Sequence, residues 1–441
     1  RYEMERDMQH RRWSWWPHLI CLLPLAAAFV MLLAGVAVNP IILPAVMLLC
    51  CLAMAALAAD SCHPGHRPLR HAGHEPPPPR PAPPGGLDEV FRVDSAEDIG
   101  GTLLLRGELL RPPDEAFARL EARFAGTGTT PLLQQGADGR PVVLLVPAPA
   151  SPPAGDRPWL NVLLLGLALV TTAAVGAHHA GADVWREPGR IVDGLAYAIP
   201  LLLILGVHEL GHYLAARHHG LAVSLPYFIP VPFGLGTFGA FISMRGLPAD
   251  RRALFDVAAA GPLAGLLVAV PLLWWGLGHS AVVPMADGGT YPGSSAILAL
   301  LAKLTVGQEL VGGQHLRLHP AAFAGWIGVM VTALNLLPVG QLDGGHVADA
   351  LLGRAGGAAA GAVALFALLF LGLFVWGGLL GWAILVYLLA GEKGVPTRND
   401  MSPVGAGRWA VGVLLFAILV LTLAPVPAGL AEALGFQCPY L

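Results

Sequence analysis

Residues 201–220, LLLILGVHELGHYLAARHHG, begin as hydrocarbon and then set His208, Glu209 and His212 where more hydrocarbon would be expected. On a helix, residues four apart are rotated by about 40°, so the two imidazoles share a face and can reach a single ion. Glu209, one position on, can take a proton from a water on that ion without being a ligand itself. This HExxH spacing is that of zinc hydrolases. Its setting strengthens it, because a carboxylate and two imidazoles in an apolar helix are costly to bury and persist where they face a polar cavity or bind something.

Two imidazoles leave a catalytic zinc one protein ligand short. His218 nearly completes the soluble pattern HExxHxxGxxH, but that pattern needs a glycine where this chain has Ala215. On an unbroken helix His218 also lies about 240° round from His212. His218 and His219 therefore read as interfacial residues at the helix end. The better third ligand is Asp343, within TALNLLPVGQLDGGHVADALL at 332–352. There a span ends at Asn335, Pro338 breaks it, and Gly344 and Gly345 open another helix. Broken helix at membrane depth is tolerated only where it lines a cavity or is buried in protein. The competing reading makes Asp343 merely the cap of the helix that follows.

The elements that must position these groups are membrane spans. The chain has 441 residues, 55% hydrophobic and 12% charged, with a mean hydropathy of +0.63. That composition excludes a soluble domain of this length and indicates an α-helical polytopic membrane protein. Apolar stretches at 18–38, 41–59, 159–177, 194–217, 256–277, 321–338 and 408–424, with 357–390 read as two short spans around WGGLLGW, predict about nine crossings. Arg1, Arg6, Arg11 and Arg12 precede the first span, which puts the amino terminus in the cytoplasm; Arg217, Arg245, Arg251 and Arg252 then cluster on the same side. The expected location is a bacterial cytoplasmic (inner) membrane, with the site near its cytoplasmic face.

The domain reading is a transmembrane hairpin at 1–59, a Pro/His-rich linker at 60–86, a small cytoplasmic α+β domain at 87–157, a core at 158–425 and a tail at 426–441. Within the α+β domain GTLLLRGEL alternates like a strand, PPDEAFARLEARFA has a proline start and a helical stripe, and TPLLQQGADGRPVVLLVP reads as a hairpin. Its role is either that of a regulatory or substrate-presenting module or that of a packing appendage. The linker histidines His63, His66, His71 and His74 are irregularly spaced and read as solvated filler. The opening Arg1 leaves two readings of the start, one upstream and one at Met4 or Met8, and no cleavable signal is expected. A net charge of −3 with no basic run excludes a nucleic-acid surface. Five cysteines without a CxxC pair give neither a metal knuckle nor a disulfide framework. Nothing in the residues specifies an oligomeric state.

HELGH in one span and NLLPVGQLDG in a later one resemble the site-2 protease family of intramembrane zinc proteases, whose second motif this chain matches at Asn335, Pro338, Asp343 and Gly344. AAAGPLAG, with Gly261 and Gly265, is similar to the family's glycine-rich segment between the motifs. Residues 87–150 and TFGAFISMR further resemble the plastid and cyanobacterial branch that carries a soluble domain ahead of the core. The resemblance covers roughly residues 90–425. It implies one Zn²⁺ held by His208, His212 and Asp343, Glu209 as general base, and Asn335 in contact with substrate or oxyanion. The implied substrate is a membrane-anchored protein whose own transmembrane segment lies in the lipid bilayer and is cut within or near it.

A helical peptide bond is shielded, so such a substrate must unwind. PYFIPVPFGLGTFGAFISMR, residues 226–245, is rich in Pro, Gly and aromatics and reads as a β-loop. Thr237, Phe238, Gly239, Ala240 and Phe241 are its candidate edge strand for the unwound chain. The rival reading is a membrane transporter for zinc or another divalent cation. That would want a ladder of intramembrane acids, and only Glu209 stands inside a predicted span among the glutamates.

Overall fold

A computed structural model describes residues 87–99, 102–136, 138–147, 157–284, 296–306, 314–374, 378–389 and 396–423. The expected hairpin at 1–59, the linker and the tail lie outside the described residues.

The first unit of structure is a four-stranded antiparallel sheet with one helix. Strands β1 (Phe91–Ile99), β2 (Thr102–Leu109), β3 (Thr129–Gln135) and β4 (Pro141–Pro147) are ordered β1-β2-β4-β3, and α1 (Pro113–Phe124) connects β2 to β3. Pro113 starts α1 where a missing N–H costs nothing, and Asp114 and Glu115 occupy its first turn. Phe117 and Leu120 of α1 pack with Phe91, Leu105, Leu133 and Val143 into a small core. β2, α1 and the β3–β4 hairpin fall where the sequence pattern predicts them. β1, FRVDSAEDI, is a strand without an apolar stripe; as an edge it has one neighbour, and its charges protect the open side.

The membrane core follows. α2 (Pro158–His179) leads through a 3₁₀ turn (Pro188–Gly194) into α3 (Leu195–His218); a β-rich loop comes next, with β5 (Ala222–Val223), β6 (Tyr227–Pro230), β7 (Thr237–Phe241) and β8 (Met244–Arg245). α4 (Arg251–Gly278), the β9–β10 pair (Ala281–Pro284 and Gln314–Arg317) around α5 (Ala296–Val306), α6 (Pro320–Asn335), α7 (Asp343–Phe374), α8 (Gly378–Leu389) and α9 (Ala406–Leu423) complete it.

Among the described residues five helices are long and apolar enough to cross a bilayer: Pro158–His179, Pro188–His218, Arg251–Gly278, Asp343–Leu373 and Ala406–Leu423. The expectation of nine crossings is therefore not confirmed. Two of the nine fall on residues outside the description, and the expected span at 321–338 is the 16-residue helix α6, short of bilayer length. Residues 357–390 divide into the second half of α7 and the 12-residue α8.

Small residues let these helices approach closely, as packing between lipid-embedded helices requires. Gly211 of α3 sits on the Ala260 carbonyl of α4, Gly325 of α6 on Leu273 of α4, and Gly328 of α6 on Ile204 of α3; a β-carbon at any of the three would meet an atom within 2.8 Å. α3, α4 and α6 thus form the tight centre, and α7 leans on α4. The β6–β7 hairpin is fastened to α2 and α3 by polar side chains. Asn161 Nδ2 donates to the Leu225 and Pro226 carbonyls at 3.0 and 2.8 Å, Thr171 Oγ1 to Gly236 O at 2.7 Å, and the Tyr197 hydroxyl to Leu235 O at 3.2 Å.

Candidate metal centre

His208, Glu209 and His212 stand in the second half of α3, and all three are buried. Asp343 is the first residue of α7, placed there by the break that Pro338 and the Gly340 turn (φ 53°) introduce after α6. Gly344 and Gly345 let the first turn of α7 fold against Leu336 O and Gly340 O, where any side chain would overlap backbone.

The three donor atoms make a nearly equilateral triangle. His208 Nε2 and His212 Nε2 are 3.1 Å apart, and Asp343 Oδ2 lies 3.2 Å from the first and 3.3 Å from the second. Hydrogen bonds cannot account for all three contacts. His212 Nδ1 lies 2.8 Å from the Val257 carbonyl of α4, so it carries a proton, and in the neutral ring, the form that ligates a metal, Nε2 offers only a lone pair. Lone pairs of His212 Nε2 and Asp343 Oδ2 then face each other at 3.3 Å, an arrangement that a cation resolves. Tetrahedral ligands about 2.0–2.1 Å from Zn²⁺ lie roughly 3.3–3.4 Å apart, so the donor set fits that ion in chemistry and in spacing. Among the described residues this is the only group of three or more His, Cys, Asp or Glu that brings ligand atoms together in this way.

Two glycines of α4 make room for the rings. A β-carbon on Gly261 would overlap the His212 imidazole, and one on Gly265 would come within 3.1 Å of His208 Nδ1. Glu209 is 7% exposed, and the backbone of Ile242, just beyond β7, lies close enough to act on its carboxylate. The catalytic candidate and the candidate substrate strand are therefore adjacent. Of that strand, Thr237 is buried, its hydroxyl donating to Ile229 O at 2.9 Å and receiving the Gly239 N–H at 3.1 Å, so it holds the hairpin together. Gly239 has φ 99°, while Phe238 and Phe241 are exposed and Ala240 pairs with Phe228 of β6. Asn335 closes α6, half-buried, eight positions before Asp343.

Two supporting groups escape sequence reasoning. Val257 acts through its carbonyl, which no side-chain pattern reveals. Asp256, its neighbour, accepts from Arg408 Nε and Nη2 of α9 at 2.7 and 2.8 Å and faces His219 Nε2 at 3.0 Å, tying the ends of α3, α4 and α9 together. A lone Asp inside the apolar run of α4 is the signal that could have found it. His219 is thus a partner of this cluster as well as a helix-end residue, whereas His218 is exposed.

The profile of peptidase family M50 matches residues 196–376. Probable zinc metalloprotease EGY1, chloroplastic, of Oryza sativa subsp. japonica is 37% identical over 390 residues, which is 78% of this chain and 66% of the relative. The Arabidopsis thaliana protein of the same name is 30% identical over 390 residues, 78% of this chain and 70% of the relative. Probable zinc metalloprotease EGY2, chloroplastic, of Arabidopsis thaliana is 30% identical over 358 residues, covering 78% and 63%. The chain spans about two thirds of the length of these curated relatives. No solved structure matches. The expected bacterial cytoplasmic membrane gains no support from relatives that are named chloroplastic. The two motifs, their convergence on one triangle of donors, and relatives aligned along most of the chain place this protein in peptidase family M50, the site-2 protease family.

Proposed function

We propose that the protein is an intramembrane zinc metalloendopeptidase that hydrolyses a peptide bond within or near the transmembrane segment of a membrane-anchored protein. The observation that carries this reading is the donor triangle of His208, His212 and Asp343 with Glu209 buried beside it. Those three side chains would hold one zinc ion, as the names of the relatives also suggest. Bound there, zinc supplies a Lewis acid that polarises the scissile carbonyl and brings a water's pKa towards ~7. The chain's own groups do the rest. The Val257 carbonyl holds His212 in the tautomer whose Nε2 is free to ligate. Glu209, steadied by Ile242, accepts a proton from the attacking water on a carboxylate oxygen and delivers it to the departing amide nitrogen. Asn335 contacts the substrate or its developing oxyanion.

Substrate is taken as an extended strand along β7, residues Thr237–Phe241, since only an unwound backbone exposes its carbonyl. The link from Ile242 to Glu209 supports this placement, because it sets the strand next to the base. Exposed Phe238 and Phe241 provide apolar surface for substrate side chains. Water reaches the site from the side where Arg217, Arg245, Arg251 and Arg252 gather, near the end of α3 and the start of α4. A transporter would need a series of sites along a path, and the described residues bring only one such ligand group together.

The test is Glu209→Gln in purified protein incubated with membrane proteins of the same cell, with truncated fragments identified. Zinc should stay bound while cleavage falls by about 10²–10⁴-fold, the usual contribution of a positioned general base. Wild-type turnover by the variant would overturn the assignment.

A further inference from the structure

Residues 397–402, TRNDMS, follow α8 in a polar stretch that no part of the catalytic reading uses. They are among the most buried polar residues described. Thr397, Asn399, Asp400 and Ser402 are 1%, 2%, 8% and 0% exposed. Such burial demands partners, and the partners come from two distant parts of the chain.

On one side lies the sheet domain. β3 is an edge strand with no charged residue, TTPLLQQ, so its open side needs cover, unlike β1 with Asp94, Glu97 and Asp98. Leu133 N–H donates to Arg398 O and Asp400 N–H to Leu133 O, each at 2.8 Å, so residues 398–400 run parallel to β3 and join it through one bridge at Asn399. Gln134 Nε2 donates to Thr397 O at 2.6 Å, Arg398 pairs with Glu121 of α1, and Met401 packs on the sheet-domain core. On the other side two of these residues pair with the entry to α4. Arg398 N–H donates to Pro248 O at 2.8 Å and Asn399 N–H to Ala249 O at 2.9 Å. Asp250 then caps α4 by accepting from Ala253 N–H at 2.8 Å.

Side chains close the seam. Asp114, in the first turn of α1, accepts from Ser402 Oγ at 2.6 Å and from Arg252 of α4 at 2.5 Å, and Arg252 Nε donates to Pro403 O at 2.8 Å. Arg251 lies in the field of both Asp400 and Asp349, and Arg354 in that of both acids; Asp349 and Arg354 belong to α7, the helix that opens with Asp343. The strand therefore touches the sheet domain and the start of α4 that leads to Val257, while Asp400 shares an electrostatic neighbourhood with the helix of the third candidate ligand.

We propose that residues 397–402 are an internal docking strand that fixes the sheet domain to the membrane core, and that the docked domain positions the start of α4, and with it Val257, beside the metal centre. The docking stands on its own contacts; the consequence for the metal rests on the zinc reading given above.

The test compares wild type, Asp114→Ala/Arg398→Glu, and the charge-swapped Glu121→Arg/Arg398→Glu in the full chain, by amide hydrogen exchange and by Zn²⁺ release to a chelator. In wild type the Leu133 and Asp400 amides should be protected. In the first variant their exchange should rise at least ~10-fold, exchange at 253–257 should rise with it, and zinc release should quicken several-fold. The swap, which retains Asp114, should restore most of each. Free exchange of Leu133 and Asp400 in wild type would overturn the docking. Loosening of the seam with no change at 253–257 and no change in zinc release would make the domain an appendage. Absence of zinc from the wild type would instead count against the zinc reading, and exchange at 253–257 would still decide the positioning role.

Discussion

Gly261→Ala separates the demands of the helix from those of the metal. In an exposed helix interior this change stabilises by about 1 kcal/mol, since alanine is the better helix former. Here the added methyl would fall inside contact distance of three atoms of the His212 ring. Restoring a normal carbon–nitrogen contact requires a displacement on the order of 1 Å, whereas metal–ligand distances tolerate about 0.2 Å. α4 cannot back away cheaply, because that would open the close packing of Gly211 of α3 against the Ala260 carbonyl and Ala264. The ring must therefore turn, giving up either the Val257 hydrogen bond or its place in the triangle. Losing an outer partner of a metal ligand alone costs about 10–100-fold in affinity, and losing the ligand costs more. Chelator competition in detergent should show zinc affinity falling at least tenfold in Gly261→Ala and less in Gly265→Ala, where the new carbon meets His208 at 3.1–3.2 Å. Gly166→Ala in α2, with nothing within 4 Å, is the control and should leave affinity unchanged. Wild-type zinc affinity in Gly261→Ala would refute the reasoning.

Ala240→Pro should reduce cleavage at least tenfold with zinc content and circular dichroism unchanged, as the loss of one strand-pairing N–H at β7 would predict; unchanged turnover counts against strand addition there. Arg408→Met removes the two-pronged bond to Asp256, whose side chains are about a third exposed (34% and 30%). After allowance for solvent screening it should cost about 1–2 kcal/mol, seen as a Tm lower by a few degrees. At the seam, burial pushes the Asp114 carboxyl up, but Ser402 and Arg252 outweigh it and hold the group below its ordinary range. Its stabilising contribution is present above the unfolded pKa of about 3.9 and is lost as pH falls through the lower folded value. Burial raises Asp400, with Arg251 and Arg354 opposing, so protonation of Asp400 favours the fold and sets in at higher pH. Exchange protection of Leu133 should thus hold on acidification and drop only below about pH 4. Asp114→Asn should remove most of that drop, and an identical acid limb in the variant would exclude Asp114 as its source.

The chemistry of the site was legible because it is written in side chains. Charged and polar groups in an apolar helix have few bland explanations, and a proline-broken span carrying Asp343 had to line something. The span count was less legible. Hydropathy measures apolarity, and α6 is apolar because it is enclosed by protein, although at 16 residues it is too short to cross a bilayer alone. β1 was missed because an edge strand with charged residues lacks a period-two apolar pattern. Val257 and Ile242 contribute through the backbone, so nothing in their identity marks them. The docking strand reads as an ordinary polar loop, since its hydrogen-bond partners are distant in sequence, Gln134 and Asp114 by more than 260 positions.

The central claim is that two imidazole nitrogens and one aspartate oxygen bind a single zinc ion. Zinc K-edge X-ray absorption on the purified chain, with metal counted per polypeptide, tests it most directly. One zinc per chain should appear with nitrogen and oxygen neighbours at about 2.0–2.1 Å, an imidazole scattering pattern from two rings and no sulfur. Both the bound zinc and that pattern should be lost in His212→Ala. A sulfur shell near 2.3 Å, or the same spectrum in wild type and His212→Ala, would contradict the account.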